Sequence, residues 1–420
     1  MKFKPIRKMS VVLDLEGRER RLGTLAWSND ERRAYFEYSA EFIAAPLPVS
    51  PFNLKINTGL IAAPRDPFDG LHGLFNDSLP DGWGRLLLDR RLRKAGIDYH
   101  LLTPLDRLSA VGKTGMGALA YIPELDDGEG KPGRDIDWDW FVEQVDLVQA
   151  ERDIADIDTL QGAQGGSAGA RPKIMIGFHE ARNSWVLDYG QDMERGFDRW
   201  MVKARGIGDP ADIGVEEQAY ALMARAAGLE MAETRIFHTE KGNRLFATKR
   251  FDRTPAGRLH MHTASGILNA SHRQASVNYG ALHKLTLMMT RDSSEVLRMF
   301  RRMVFNVYSR NRDDHAKNHA FLMKGDGRWR LSPAYDLTFS SGPGGEHSAD
   351  IAGEGRAPDM AHLLTVSRQA SIPDRDARDV VDDVRTAIES WPQFAEEAGL
   401  PRSRTSELER ILNGRTPAQE

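Results

Sequence analysis

Residues 308–321 read YSRNRDDHAKNHAF: two aspartates, two histidines, a lysine and an asparagine between apolar flanks. Three chemistries fit that inventory. His315 and His319 are four apart, close enough on a helix to share a zinc ion with Asp313 or Asp336. The run also suits a solvated charged loop at a helix end. The third is phosphoryl transfer, which needs a carboxylate to take the acceptor's proton and oxygen ligands for Mg²⁺ beside it. Kinase catalytic loops place an asparagine five residues after the base aspartate. Asp313 and Asn318 have that spacing, and Asp314 is one residue short. Asp313 is the expected base, Asp314 a solvent-facing or hydrogen-bonding neighbour. His315 stands where a kinase often carries a phosphate-contacting lysine.

The residues that follow favour the third chemistry. HAFLMKGDGRWRLSPAYDL reads as strand, GDG turn and strand, a hairpin that returns Asp336 beside Asn318 as a second metal ligand. HAKNH lacks the glutamate of a zinc-protease helix, and the hairpin sets His319 on a strand. Upstream, GGSAGARPK offers a glycine-rich loop whose backbone, at Gly166, Ser167, Ala168 and Gly169, can approach phosphates closely. It is not a Walker A motif. VGKTG at 111–115 contains GKT, but Arg107 occupies the place of the first glycine. Lys203 ends an apolar strand and Glu217 lies on the next helix, the order of a kinase ion pair, although Glu216 is an equal candidate by helix phase. ATKRFDR ends the sheet where an adenine-binding hinge would lie, with backbone near Lys249 and Phe251 facing the base.

Positioning these groups takes a β-rich lobe followed by a helical one. MSVVLDLEGRERRLGTLAWS alternates around an EG turn, the mark of a hairpin, and AYFEYSAEFI reads as a further strand. After Pro80 a helix runs to Gly96 with Leu86, Leu87 and Leu92 on its apolar side. DRRLRK at 89–94 is a solvated helix face. The acidic, Gly- and Pro-rich stretch 124–136 is a linker. Residues 160–178 form the glycine loop and a short strand, and SWVLDY, RWMVKA, ETRIFH and RLFATKRF are strands of one mostly antiparallel sheet. A helix at 215–229 interrupts them. From about residue 260 the chain is helical, with Val296, Met299, Phe300, Met303, Val304 and Val307 on one face. Further helices fill 360–413, and the glycine-rich 340–356 occupies the activation-segment position.

Composition narrows the function classes. A net charge of −4 over 420 residues builds no global field for nucleic acid or membrane. The absence of cysteine excludes disulfides, iron–sulfur clusters and cysteine nucleophiles, and fits a reducing compartment. The basic first residues lead into an alternating strand rather than an apolar segment, and no apolar run of about 18 residues occurs. A cytoplasmic protein without membrane contact is expected.

Taken in order, LFNDSLPDGWGRLLLDRRL, LSAVGKTGMGALAY, SAGARPK, FATKRFDR, NVYSRNRDDHAKNHAF, LSPAYDLTFS and GGEHSADIAGEG resemble the HipA-type bacterial serine/threonine kinase toxins. The resemblance covers about residues 10–370. It implies an α+β, bilobal protein-kinase-like fold: an N-terminal subdomain over 1–125, a β-rich kinase N-lobe over 126–255 and a helical C-lobe over 256–420. It implies ATP and Mg²⁺ as cofactors, with Asn318 and Asp336 as metal ligands, Asp313 as base, and His315 and Lys203 at the phosphates. It also implies an aminoacyl-tRNA synthetase as protein substrate, growth arrest, a small helix-turn-helix antitoxin, and operator DNA bound through that antitoxin. Family members often autophosphorylate a glycine-loop serine. Gly166 aligns with that position and Ser167 is its neighbour, so Ser167 is the autophosphorylation candidate. A phosphate there would place about −1.5 to −2 charges where ATP docks. Arg171 and Pro172 replace the Gln and Glu of some members. A lipid or small-molecule kinase, and a catalytically silent subunit of an antitoxin–DNA complex, are the alternative readings.

Overall fold

The computed structural model describes residues 4–123, 137–152, 154, 156–166, 169–271 and 277–414. It opens with an antiparallel sheet ordered β4-β3-β2-β1-β5, built from β1 (Lys8–Leu15), β2 (Arg18–Ser28), β3 (Arg33–Tyr38), β4 (Ile61–Ala62) and β5 (Leu119–Ile122). Met9, Val11, Leu13 and Leu15 face inward from β1, as a two-residue period requires. Glu16 and Gly17 turn the first hairpin with φ of 51° and 74°, the double positive φ of a two-residue type I′ turn. AYFEYSAEFI is not one strand. Tyr38 ends β3, and the Ser39 hydroxyl accepts from Phe42 N–H at 3.1 Å to cap helix α1 (Ala40–Ala44).

Helices α2 (Gly73–Asn76), α3 (Gly82–Lys94) and α4 (Pro104–Val111) follow the first strands. In α3 the buried set is Trp83, Gly84, Leu87, Leu88 and Leu92, while Leu86 is exposed. Leu87 and Leu92 are buried as expected, and only Leu86 turns outward while Leu88 turns in, because a run of three leucines alone cannot say which of them meets a partner. Trp83 and Leu87 join a core with the next part of the chain.

That part holds α5 (Trp138–Gln149), α6 (Ile157–Ala163) and an antiparallel sheet ordered β7-β6-β8-β10-β9. Its strands are β6 (Lys173–His179), β7 (Ser184–Leu187), β8 (Phe197–Lys203), β9 (Thr234–His238) and β10 (Arg244–Lys249), with α7 (Ile213–Ala226) between β8 and β9. Residues 160–163, expected in the glycine loop, are the last turn of α6, since Ile157, Leu160 and Ala163 bury one helical stripe. Ile174, Ile176 and Trp200 of the sheet pack with Trp138 and Phe141. The expected linker at 124–136 lies outside the described residues.

After a short ribbon of β11 (Arg253–Thr254) and β12 (Gly257–Arg258), residues 260–263 are strand rather than helix. Strand β13 (His260–Thr263) pairs with β14 (Ala320–Met323), which pairs with β15 (Trp329–Leu331). A four-residue strand whose partner lies about sixty residues downstream leaves little local signal. The helices are α8 (Ala264–Leu268), α9 (Tyr279–Thr290), α10 (Ser293–Tyr308), α11 (Met360–Gln369), α12 (Asp374–Glu389), α13 (Trp391–Ala398) and α14 (Arg402–Leu412). All six residues expected on the apolar face of α10 are buried. They belong to a core that also takes in Phe36, Phe42 and Phe75 from the first sheet and its helices. Among the described residues no helix is long and apolar enough to cross a membrane.

Candidate active site

Helix α10 delivers the chain to the polar loop 309–319, and the loop is built on Asp314. Its carboxylate accepts from the Tyr279 hydroxyl at 2.8 Å, His347 Nδ1–H at 2.8 Å, and the N–H groups of Ser348 at 2.9 Å and Ala349 at 3.2 Å. Asn306 supports Tyr279 through a 2.9 Å bond from its amide nitrogen. Asp314 is therefore buried and hydrogen-bonded, not solvent-facing, and it ties residues 347–349 to the loop. With Asp314 turned inward, Asp313 projects the other way, its side chain 60% exposed. The Asn318 amide nitrogen donates to the Asp313 carbonyl at 2.7 Å and closes the loop.

The zinc arrangement does not form. His319 sits at the end of a 3₁₀ turn (Ala316–Asn318), just before β14 rather than on it. Its ring is buried, and burial pushes its pKa down to about 3. Among the described residues no three His, Asp or Glu side chains converge as a metal cluster. His315 Nε2 stands 3.9 Å from Asp313 Oδ1.

The β14–β15 hairpin then brings Asp336 across, at a φ of 52°. Lys203, at the end of β8, contacts both Asp336 Oδ1 and Glu217 Oε1. Glu217 Oε2 faces Arg171 Nη1 at 3.3 Å, and Arg171 Nε reaches Asp209 at 3.1 Å. Glu216, one residue earlier on α7, is committed to Arg404 of α14 at 2.9 Å. That settles which glutamate pairs with the lysine. Burial alone would raise the Asp336 carboxyl, but Lys203, Lys173 and the Lys203 hydrogen bond outweigh it and hold it well below the usual carboxylate range. Burial would likewise lower Lys203, and the two carboxylates reverse that. Asp313 is pushed up, first by desolvation against the cleft and then by the negative charges of Asp336 and Asp314, with His315 opposing.

These groups line one cavity of about 960 Å³, whose walls include Gly169, Lys203, Glu217, Lys249, Phe251, Asp313, His315, Asn318 and Asp336. Gly166 is not on that wall: a Cβ there would lie 2.9 Å from Val111 Cγ1, so it backs onto α4. Glycine's tolerance of the φ of 59° is used for the turn, not for ligand approach. Ser167 and Ala168 lie outside the described residues. Phe251 and Tyr335 face each other with ring centroids 5.6 Å apart.

Sequence reasoning missed three features. Lys173, the first residue of β6, is buried in the cavity wall, and burial lowers its pKa to about 8, with Asp336 opposing and Lys203 adding to the shift. A lysine opening the otherwise apolar strand KIMIGF was the available signal. Asp77, Ser78, Asp81 and Gly82, from before residue 125, also line the cavity, and no local pattern announces that. Finally, Ser50 Oγ, His262 and Asp77 are linked at 3.1 and 2.6 Å in the connectivity of a hydrolytic triad. Ser50 and His262 are buried, so no substrate reaches the hydroxyl. The linkage fastens β13 to the first part of the chain, with Asp77 also accepting from Thr263 N–H and Oγ1–H at 2.7 Å each.

Residues 13–122 match the family model described as HipA N-terminal domain, and residues 165–391 match the HipA-like C-terminal domain. A Sinorhizobium fredii (strain NBRC 101917 / NGR234) protein, Y4dM, which carries a provisional kinase name, is 29% identical over 153 residues. That alignment covers 33% of this chain and only 36% of the relative's length. Among solved structures, a chain in the Shewanella oneidensis MR-1 toxin–antitoxin complex of HipA, HipB and operator DNA superposes with a TM-score of 0.69. It is 16% identical and the match covers 96% of both chains, a likeness of fold. The Helicobacter pylori proinflammatory kinase CtkA matches at a TM-score of 0.37 and 13% identity, over 52% of this chain and 84% of that one, too loosely to carry weight.

Proposed function

The chain belongs to the HipA family, and from that premise we propose that it is an ATP-dependent serine/threonine protein kinase of toxin–antitoxin type. The observation that carries the reading is the convergence of Lys203, Glu217, Asp336, Asp313 and Asn318 on one cavity that Gly169 also lines. Its bilobal division is 126–255 and 256–420, preceded by the N-terminal subdomain 1–125.

In this mechanism Asp313 takes the proton of the acceptor hydroxyl. Desolvation raises its pKa, which makes it a stronger base once ionised. Lys203, held by Glu217, and Lys173 face the ATP phosphates as fixed positive charges, and Arg171 holds the end of the glycine loop against Glu217. His315 contacts the phosphate side, and backbone near Lys249 and Phe251 receives the adenine. The donor set fits Mg²⁺: Asp336 is held ionised, and the Asn318 amide nitrogen is committed to Asp313, leaving its carbonyl oxygen as the ligand. The metal, when bound, neutralises charge on the transferring phosphoryl group. Asp314 keeps the loop rigid, so the base is pre-positioned rather than recruited.

The protein substrate inferred from the family resemblance is an aminoacyl-tRNA synthetase, whose phosphorylation would arrest translation and growth in the cytoplasm. A small helix-turn-helix antitoxin, carrying the pair to operator DNA, is the expected regulator, and Ser167 the autophosphorylation site. The test is transfer of labelled γ-phosphate to protein by wild type, Asp313→Ala and Asp336→Ala. Both variants should lose transfer by about a hundredfold or more. Variants that label protein as wild type does would end the kinase reading.

A further inference from the structure

Residues 81–83 open α3, yet they touch both sides of the cleft. Asp81 Oδ2 accepts from Lys317 Nζ at 2.6 Å, and that lysine is buried. Lys317 directly precedes Asn318, and its carbonyl accepts from the Tyr335 hydroxyl at 2.5 Å, beside Asp336. On the other side Trp83 N–H donates to the Gly169 carbonyl at 3.4 Å. Gly82, at a φ of 27°, lies so close under the loop that a Cβ would come within 2.6 Å of Ala170 Cα. The Trp83 ring is anchored in the core shared with α5 and the second sheet. One corner of chain thus grips the loop carrying Asp313 and Asn318 by a charge, and the glycine-rich turn by backbone.

We propose that Asp81, Gly82 and Trp83 form a positioning strut that fixes the catalytic loop relative to the glycine-rich turn, making the first part of the chain a working wall of the active site. The physical need is plain. A buried ammonium without a partner is expensive, so Lys317 follows Asp81 wherever it goes. Asn318 and Asp313, one and four residues away, follow Lys317. An ångström of drift at such groups is enough to cost two orders of magnitude in rate. Asp81 acts through Lys317 and touches no reacting atom in this scheme.

The inference rests on the kinase reading for its consequence, but its geometry is testable without it. Asp81→Asn should reduce kcat by about tenfold or more while KM for ATP stays within about twofold, since the phosphate cations are untouched. The charge-swapped pair Asp81→Lys with Lys317→Asp should recover most of the lost kcat, which a residue needed only for folding would not allow. Hydrogen–deuterium exchange reads the strut directly: peptides covering 313–319 should exchange faster in Asp81→Asn and return toward wild type in the swapped pair. Unchanged exchange in Asp81→Asn, wild-type kcat in that variant, or a folded swapped pair no better than the single variant each overturns the strut. A wild-type chain that transfers no phosphate but shows the exchange pattern sinks the kinase reading and leaves the strut standing.

Discussion

Replacing Lys203 by methionine keeps an unbranched stem and deletes the charge that joins β8 to Glu217 and Asp336. Removing one partner of a buried ion pair generally costs about 3–5 kcal/mol. Two features pull this site toward the low end. Glu217 retains Arg171 at 3.3 Å, and the Asp336 side chain is 39% exposed, so water screens part of the loss. A destabilisation of about 3 kcal/mol is expected at pH 7. At about 2.1 cal/mol/K per residue, 420 residues give an unfolding entropy near ~0.9 kcal/mol/K, so Tm should fall by about 3 °C if the chain melts as one unit. The pH dependence adds a second constraint. Asp336 has a folded pKa below its unfolded one, so its contribution is complete above about pH 4 and is lost as pH falls through the depressed value. The gap between variant and wild type should therefore be widest near neutrality and close in acid. Calorimetry across that range decides it. A Lys203→Met protein melting within about 1 °C of wild type at pH 7, or a gap that widens in acid, would refute the electrostatic account.

Two further perturbations separate neighbouring roles. Glu217→Gln should weaken nucleotide binding and phosphate transfer, whereas Glu216→Gln should leave transfer intact and cost at most about 1 kcal/mol in stability, because glutamine keeps a neutral bond to Arg404 and burial already disfavours the Glu216 charge; transfer assays and melts on both variants check this. Lys173 has a pKa lowered to about 8, so nucleotide affinity should fall as pH rises through that value and the ammonium is lost. Folding stability from this group runs the opposite way, rising between about pH 8 and the unfolded value near 10.4, where only the unfolded chain holds the proton. Titration calorimetry with ATP at pH 7 and pH 9 tests the first statement, and Lys173→Arg should flatten the dependence.

Much of this was legible in the chain. Two-residue alternation marked β1 and β2, the stripe on α10 marked its buried face, and the hairpin before Asp336 could be read because strand, turn and strand are adjacent in sequence. The five-residue step from Asp313 to Asn318 is likewise local. Strand β13 was missed for the converse reason: four residues pair only with a hairpin far downstream, and nothing nearby signals it.

Sequence by itself determined which groups are available and in what order: a glycine-rich turn, a strand lysine, a helix glutamate, a loop aspartate with its asparagine, and a returning aspartate. It could not choose between Glu216 and Glu217, because adjacent helical residues differ by about 100° in direction and only the placement of Lys203 and Arg404 assigns them. It could not tell that Asp314 turns inward to four donors while Asp313 turns out, since those donors come from α9 and from residues 347–349. Nor could it place Asp81 and Gly82 in the cleft. Their partners, Lys317 and Ala170, lie 236 and 88 positions further along the chain. Periodicity reports which side of an element seeks burial. Only the packed fold decides which charges meet once it is buried.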